Sequence, residues 1–191
     1  MKALSNRIHN AADKVMNKLG LGKRARDRIH KAICTLTGHP VDVATGRVLT
    51  DKVDWELPGP LPLKFERNYT SSRSDRDSVL GRGWSHSLDL AVWEEPGQVV
   101  FRAEDGREIE FDVTGTELYH PIDRLTLRRR GELRWEVETA EGLVHELSFV
   151  SGETQPGLCR VVRTRNRAGH DIVYWYDARG RLEWVRDSGG R

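Results

Sequence analysis

From Val99 to Trp184 the sequence keeps returning to one pattern: a short glycine-bearing turn, then apolar residues at every second position. Val99 and Phe101, then Ile109, Phe111 and Val113, flank "EDGRE"; Leu125 and Leu127, then Leu133, Trp135 and Val137, flank "RRRGE". Leu147 and Phe149 follow "AEGLVH", Ile172, Tyr174 and Tyr176 follow "NRAGHD", and Leu182 and Trp184 follow "DARGR". Side chains of a strand point alternately to its two faces, so period two around a tight turn specifies antiparallel hairpins. Strand–helix alternation is missing, which argues against a parallel nucleotide-binding sheet. The pattern predicts a mainly β protein from Val48 onward, an antiparallel meander of hairpins, preceded by a short α-helical hairpin.

That leader is set apart by charge. Residues 1–37 hold nine Lys or Arg against two Asp, net +7, while residues 38–191 hold 22 basic and 27 acidic residues, net −5. Leu4, Ile8, Ala11, Ala12, Val15 and Leu19 fall at helical spacing, Gly20 and Gly22 break the run, and Ala25, Ile29, Ala32, Ile33 and Leu36 continue the stripe. Helices this short need a partner surface. Their expected role is packing on each other or on the body; membrane-surface and nucleic-acid contacts are the rivals, and the acidic body disfavours nucleic acid. The start lacks the continuous apolar core of a signal peptide, and no run reaches bilayer-spanning length. Export would then use a route that reads no cleavable signal.

The stretch "ELPGPLPLKFERNYTSS" places Pro58, Pro60 and Pro62 where alternation begins at Leu61. Proline lacks an N–H, and successive N–H groups of a strand face opposite edges. The expectation is a strand blunted along one edge, with an extended linker as the alternative.

Few residues invite chemistry. "GRGWSHSLDL" supplies Ser85, His86 and Asp89, yet neighbours in a strand face opposite ways, so no triad is expected and Trp84 and Leu88 are read as packing. His39 and Asp42 are too few for a metal site. "LGLGKRAR" lacks the Walker spacing. "RRRGE" reads as an exposed hairpin tip. Cys34 and Cys159 read as reduced, partly buried thiols, with a disulfide neither proven nor excluded. No enzyme activity, cofactor or metal is expected.

The tail "YWYDARGRL" resembles the tyrosine–aspartate (YD) repeat, Tyr-x-Tyr-Asp-x-x-Gly-Arg-Leu, through Tyr174, Tyr176, Asp177, Gly180, Arg181 and Leu182. "VRDSGGR" looks like the approach to another repeat, cut off by the end of the chain. Three further segments resemble the opening of the shell in bacterial Rhs proteins. They are "TGHPVDVATGRV" with Gly38, Asp42 and Gly46, "LPGPLPLKFERNYTS" with the three prolines and Tyr69, and "LGRGWSHSLDL" with Gly81, Gly83 and Trp84.

The resemblance implies a β-sheet shell enclosing a C-terminal toxin, often a type VI secretion effector in interbacterial competition. It divides the chain into a basic helical leader (1–37), an N-terminal β domain of the shell (38–165) and a truncated YD repeat (166–191). Implied partners are the rest of a shell or the toxin, with chaperone or secretion-apparatus proteins for the leader, and a bacterial cytoplasmic stage before export. The chain shows about one and a half repeats and no recognisable spike-tip domain, toxin or C-terminal self-cleavage motif. It is therefore expected to be a shell-opening fragment. The alternative is a carbohydrate- or cell-surface-binding β module with a basic helical adaptor, which outward-facing Trp84, Trp135, Tyr174 and Trp184 would favour.

Overall fold

The computed structural model describes residues 48–191, with Lys14, Val15 and Lys18 in helical conformation ahead of them. The expected helical hairpin and Cys34, Gly38, His39, Asp42 and Gly46 lie outside the described residues.

Thirteen strands follow one another in the described part. They are β1 (Leu49–Leu57), β2 (Leu63–Thr70), β3 (Trp84–His86), β4 (Ala91–Glu95), β5 (Gln98–Arg102), β6 (Glu108–Asp112) and β7 (Glu117–His120). The rest are β8 (Leu125–Gly131), β9 (Arg134–Glu138), β10 (Val144–Phe149), β11 (Cys159–Arg165), β12 (Asp171–Tyr176) and β13 (Leu182–Arg186). All pairings are antiparallel, as the hairpin pattern requires.

Two meanders, β4–β6 and β7–β11, join where β11 lies against β4, giving the order β6-β5-β4-β11-β10-β9-β8-β7. The end strands β6 and β7 come alongside each other without a ladder, so the sheet curls into a nearly closed barrel. β11 is the branch point. Cys159 and Arg160 pair with Val92 and Ala91 of β4, whereas Arg163, Thr164 and Arg165 pair with Val173, Ile172 and Asp171 of β12. The β12–β13 hairpin therefore leaves the barrel as a continuation of its wall, and among the described residues β13 pairs only with β12. Strands β1, β2 and β3 form a separate small sheet.

Alternation places Val92, Phe101, Ile109, Leu127, Val137, Leu147 and Val161 on the inner face, where they form one core with Ile172 and Tyr174 of the hairpin and Leu61 and Leu63 of the N-terminal segment. Burial of this face drives closure, at about 25 cal/mol per Å² of apolar surface. The outer face carries ion pairs across strands: Arg128 reaches Glu117, Glu136 and Glu138, Arg130 reaches Glu136, and Arg165 reaches Glu146.

Three local expectations need correction. The strand begins at Leu63, not Leu61, because Leu57 already pairs with Leu63 and the prolines fall in the loop between β1 and β2. "RRRGE" is not itself the tip. The ladder runs through Gly131 opposite Arg134, the turn falls on Glu132 and Leu133, and cross-strand glutamates hold Arg128 and Arg130 in the wall. Val113 lies past the end of β6 and is 57% exposed.

Candidate functional site

The Tyr-x-Tyr-Asp-x-x-Gly-Arg-Leu segment builds the β12–β13 turn. The Asp177 N–H donates to the Arg181 carbonyl at 2.9 Å, and the Gly180 N–H donates to the Asp177 carbonyl at 2.9 Å. One Asp177 carboxylate oxygen accepts the N–H groups of Arg179 and Arg181, and the other accepts Arg181 Nε at 2.8 Å. The Arg181 bond, first among these contacts, holds the Asp177 carboxyl below its ordinary range. Gly180 turns with φ +72, and a Cβ there would meet the Glu153 nitrogen at 2.9 Å. Before the turn, Tyr174 is buried and Tyr176 donates its hydroxyl to the Val161 carbonyl at 2.8 Å. Leu182 packs on the core. The motif residues are thus a turn and its anchors.

The same turn recurs ten residues later. The Asp187 N–H donates to the Arg191 carbonyl, the Gly190 N–H donates to the Asp187 carbonyl, and the Asp187 carboxylate takes the Arg191 N–H at 2.7 Å and Nε at 2.8 Å. "VRDSGGR" is therefore a completed turn, where the sequence looked cut short. The pattern also lies between β11 and β12 with Asn166 as side-chain acceptor, and between β9 and β10 with Thr139. Between β5 and β6, Ala103 holds the first place and Asp105 supplies the acceptor for the Arg107 N–H. Five turns share one backbone ring, closed by a positive-φ glycine in each.

The proline loop is gripped by the last of these turns. Ser188 Oγ accepts the Leu61 N–H at 3.0 Å and donates to the Leu61 carbonyl at 2.7 Å. Arg191 donates to the Pro58 carbonyl at 2.6 Å. Pro58, Pro60 and Pro62 offer no N–H, so Leu61 carries one of the loop's few donors, and one hydroxyl satisfies both of its backbone groups. Replacing Ser188 with Ala leaves both groups without that partner. We expect a loss of about 1–2 kcal/mol and faster amide exchange at Leu61, with the β4–β5 amides unchanged.

"LGRGWSHSLDL" is a second packed corner. Gly81 and Gly83 have φ of +98 and +78, and a Cβ on Gly83 would lie 2.9 Å from both the Tyr69 ring and the Thr70 carbonyl. Tyr69 packs on Trp84, with ring centroids 5.2 Å apart, and the Arg67 guanidinium sits over Trp84. Ser85 is buried against Gly106 and donates to the Asn68 carbonyl at 3.4 Å. His86 stacks on Phe65, and burial lowers its pKa. Asp89 is held by Arg102 at 2.8 Å and Arg160 at 2.9 Å, while burial outweighs these cations and raises its carboxyl. No hydrogen bond among the described residues joins Ser85 to His86.

Alternation gave no sign of a polar chain in the core. His145 Nδ1 lies 2.9 Å from Thr164 Oγ1, which lies 3.4 Å from the Tyr174 hydroxyl, and all three residues are buried. Burial pushes His145 down to about 4 and Tyr174 up to about 12. Cys159 is a buried free thiol, raised to about 11 by burial. Among the described residues no helix is long and apolar enough to cross a membrane.

The curled antiparallel wall punctuated by aspartate-type turns has counterparts in sequence. Residues 38–111 match the family described as a domain of unknown function, DUF6531. The chain is 33% identical over 189 residues to the toxin protein Tse5 of Pseudomonas aeruginosa, covering 86% of this chain and 14% of that protein. It is 35% identical over 193 residues to the probable deoxyribonuclease RhsB of Dickeya dadantii, covering 93% and 13%. A double-stranded DNA deaminase toxin A of Burkholderia cenocepacia is 30% identical over 173 residues, covering 85% and 12%. Over 85–93% of its length the chain is thus similar to toxin proteins of the Rhs type, and it spans only about one eighth of the length of these curated relatives.

Proposed function

We propose that this chain is a structural module, a wall segment of an Rhs-type shell that encloses a C-terminal toxin and helps deliver it in interbacterial competition. The observation that carries the reading is the β12–β13 hairpin. It extends the barrel wall beyond β11, bears two aspartate turns ten residues apart, and ends in a strand with one edge unpaired among the described residues. An unpaired edge is a template for a further strand. The glycines, prolines and aromatic residues of the recognised motifs act as turns and anchors in this reading, with no catalytic role. The implied partners are the remaining wall and the toxin.

The test uses a longer protein carrying this segment and a C-terminal toxin domain. The toxin should resist limited proteolysis when residues 38–191 are present and become cleavable when they are removed. Equal resistance in both proteins contradicts containment.

One observation favours the carbohydrate-binding alternative. Trp184 is 50% exposed and stacks on Trp175 at 3.6 Å, on the outward face of the β12–β13 hairpin, whereas Trp135 and Tyr174 are buried. Rings already stacked on each other stabilise a hairpin without needing a ligand. Quenching of Trp184 fluorescence by surface polysaccharide would support that reading over ours; we expect none.

A further inference from the structure

The barrel's ladder is interrupted where its two end strands meet. β6 and β7 lie alongside each other, yet among the described residues no backbone hydrogen bond joins them. β7 is short and pairs only with β8. Its outward Tyr119 is 60% exposed and Ile122 beyond it 78% exposed, while Leu118 is buried in the core. Side chains hold this joint. The His120 ring meets Phe111 of β6 edge-on, with centroids 5.7 Å apart. Asp123, in the β7–β8 turn, accepts Arg107 Nη1 at 2.8 Å from the start of β6 and lies 3.0 Å from His120 Nδ1.

The two sides of the joint differ in firmness. Asp105 accepts the Arg107 backbone N–H at 3.0 Å and also its Nε, which fixes the guanidinium. The turn behind it is bound to the small sheet, because Gly106 packs on the Ser85 side chain and Asn68 Nδ2 donates to the Glu104 carbonyl at 3.5 Å. On the opposite side Arg124 has φ +53, the one positive φ of a non-glycine among the described residues. That conformation is strained for a residue bearing a Cβ. The strain sits between Asp123, held across the joint, and Leu125, paired with His120. A cavity of about 310 Å³ takes its lining from both sides, Arg107 and Ile109 on one and Asp123 and Leu125 on the other. We propose that β7 is a flap over this cavity, latched by Asp123 on Arg107 and sprung by the turn at Arg124. Parting β7 from β6 breaks an ion pair and uncovers Leu118, whereas parting any other neighbours of the barrel breaks a backbone ladder, so this joint opens first. The flap concerns the barrel alone and stands or falls separately from containment.

Thiol labelling of the full chain carrying Leu118→Cys, followed by peptide mapping, tests the flap. Cys159 is buried in the same core and reports global opening in the same sample. We expect the thiol placed at position 118 to react faster than Cys159. Adding Asp123→Asn should speed it roughly tenfold and leave Cys159 unchanged. Adding Arg124→Gly, which relieves the turn without touching the ion pair, should slow it roughly threefold. In chains that keep Leu118, native-state cleavage by chymotrypsin after Tyr119 should rise with Asp123→Asn and fall with Arg124→Gly. Equal labelling of the two thiols, parallel acceleration of both by Asp123→Asn, or labelling and cleavage indifferent to Arg124→Gly would overturn the proposal.

Discussion

Replacing Gly152 with Ala should be among the most damaging single-methyl additions the wall can receive. Gly152 has φ +85, and a Cβ there would lie 2.3 Å from the Ala178 carbonyl oxygen and 2.5 Å from the Arg179 carbonyl carbon. These are backbone atoms of the aspartate turn, which cannot rotate away as a side-chain tip would. Gly180 faces back across the same contact, close to the Glu153 nitrogen and Gly152 carbonyl carbon. The alanine must accept a left-handed backbone and push apart two turns. Strain at φ and displacement together should cost on the order of 3–5 kcal/mol. Chemical denaturation should show that loss. Gly157→Ala is a useful comparison, because it has φ +74 with open space around its Cβ position, and it should cost only the conformational part. Equal effects at the two sites would show that the turns are not in backbone contact.

The second large effect is a loss of stability in mild acid. His145 is buried and neutral, with its pKa down to about 4 because burial disfavours the imidazolium. In the unfolded chain a histidine titrates near 6.5. Between these values the unfolded state binds more protons, so stability is fully present above pH 6.5 and is lost as pH falls toward 4. The shift corresponds to about 3 kcal/mol. His86, also lowered by burial, adds in the same direction, while Asp89 and Glu104, raised by burial, oppose part of the loss. Urea midpoints at pH 7 and pH 4.5 should differ clearly, and His145→Leu should flatten most of that difference. An unchanged pH dependence in the variant would place the titration elsewhere.

The fold was legible because alternation reports burial directly. Val99, Phe101, Ile109, Leu127, Val137 and Leu147 all point inward where the pattern put them. Closure into a near-barrel was not legible, since it depends on Cys159 and Arg160 meeting Val92 and Ala91 some 70 residues away in the chain, and no local pattern encodes that pairing. The prolines misled for a physical reason. A donor-free strand edge and a donor-poor loop read alike until the partner of Leu61 is known, and that partner, Ser188, lies 127 residues onward. The aspartate turn at Asp177 could be read from its residues. Its relatives at Asn166, Thr139 and Ala103 could not, because the backbone ring stays constant while the acceptor side chain changes. The cavity mouth was invisible for the same reason as closure, its rim being drawn from turns that meet only once the sheet curls.

Everything functional here rests on residues 48–191 being masonry, with β13 a course awaiting its neighbour. Hydrogen–deuterium exchange over Leu182–Arg186, in this chain and in a longer protein that continues past Arg191, tests that idea most directly. Fast exchange here and strong protection in the longer protein is the predicted outcome. The same fast exchange in both would mean that nothing is laid against the edge, and the shell reading would fail.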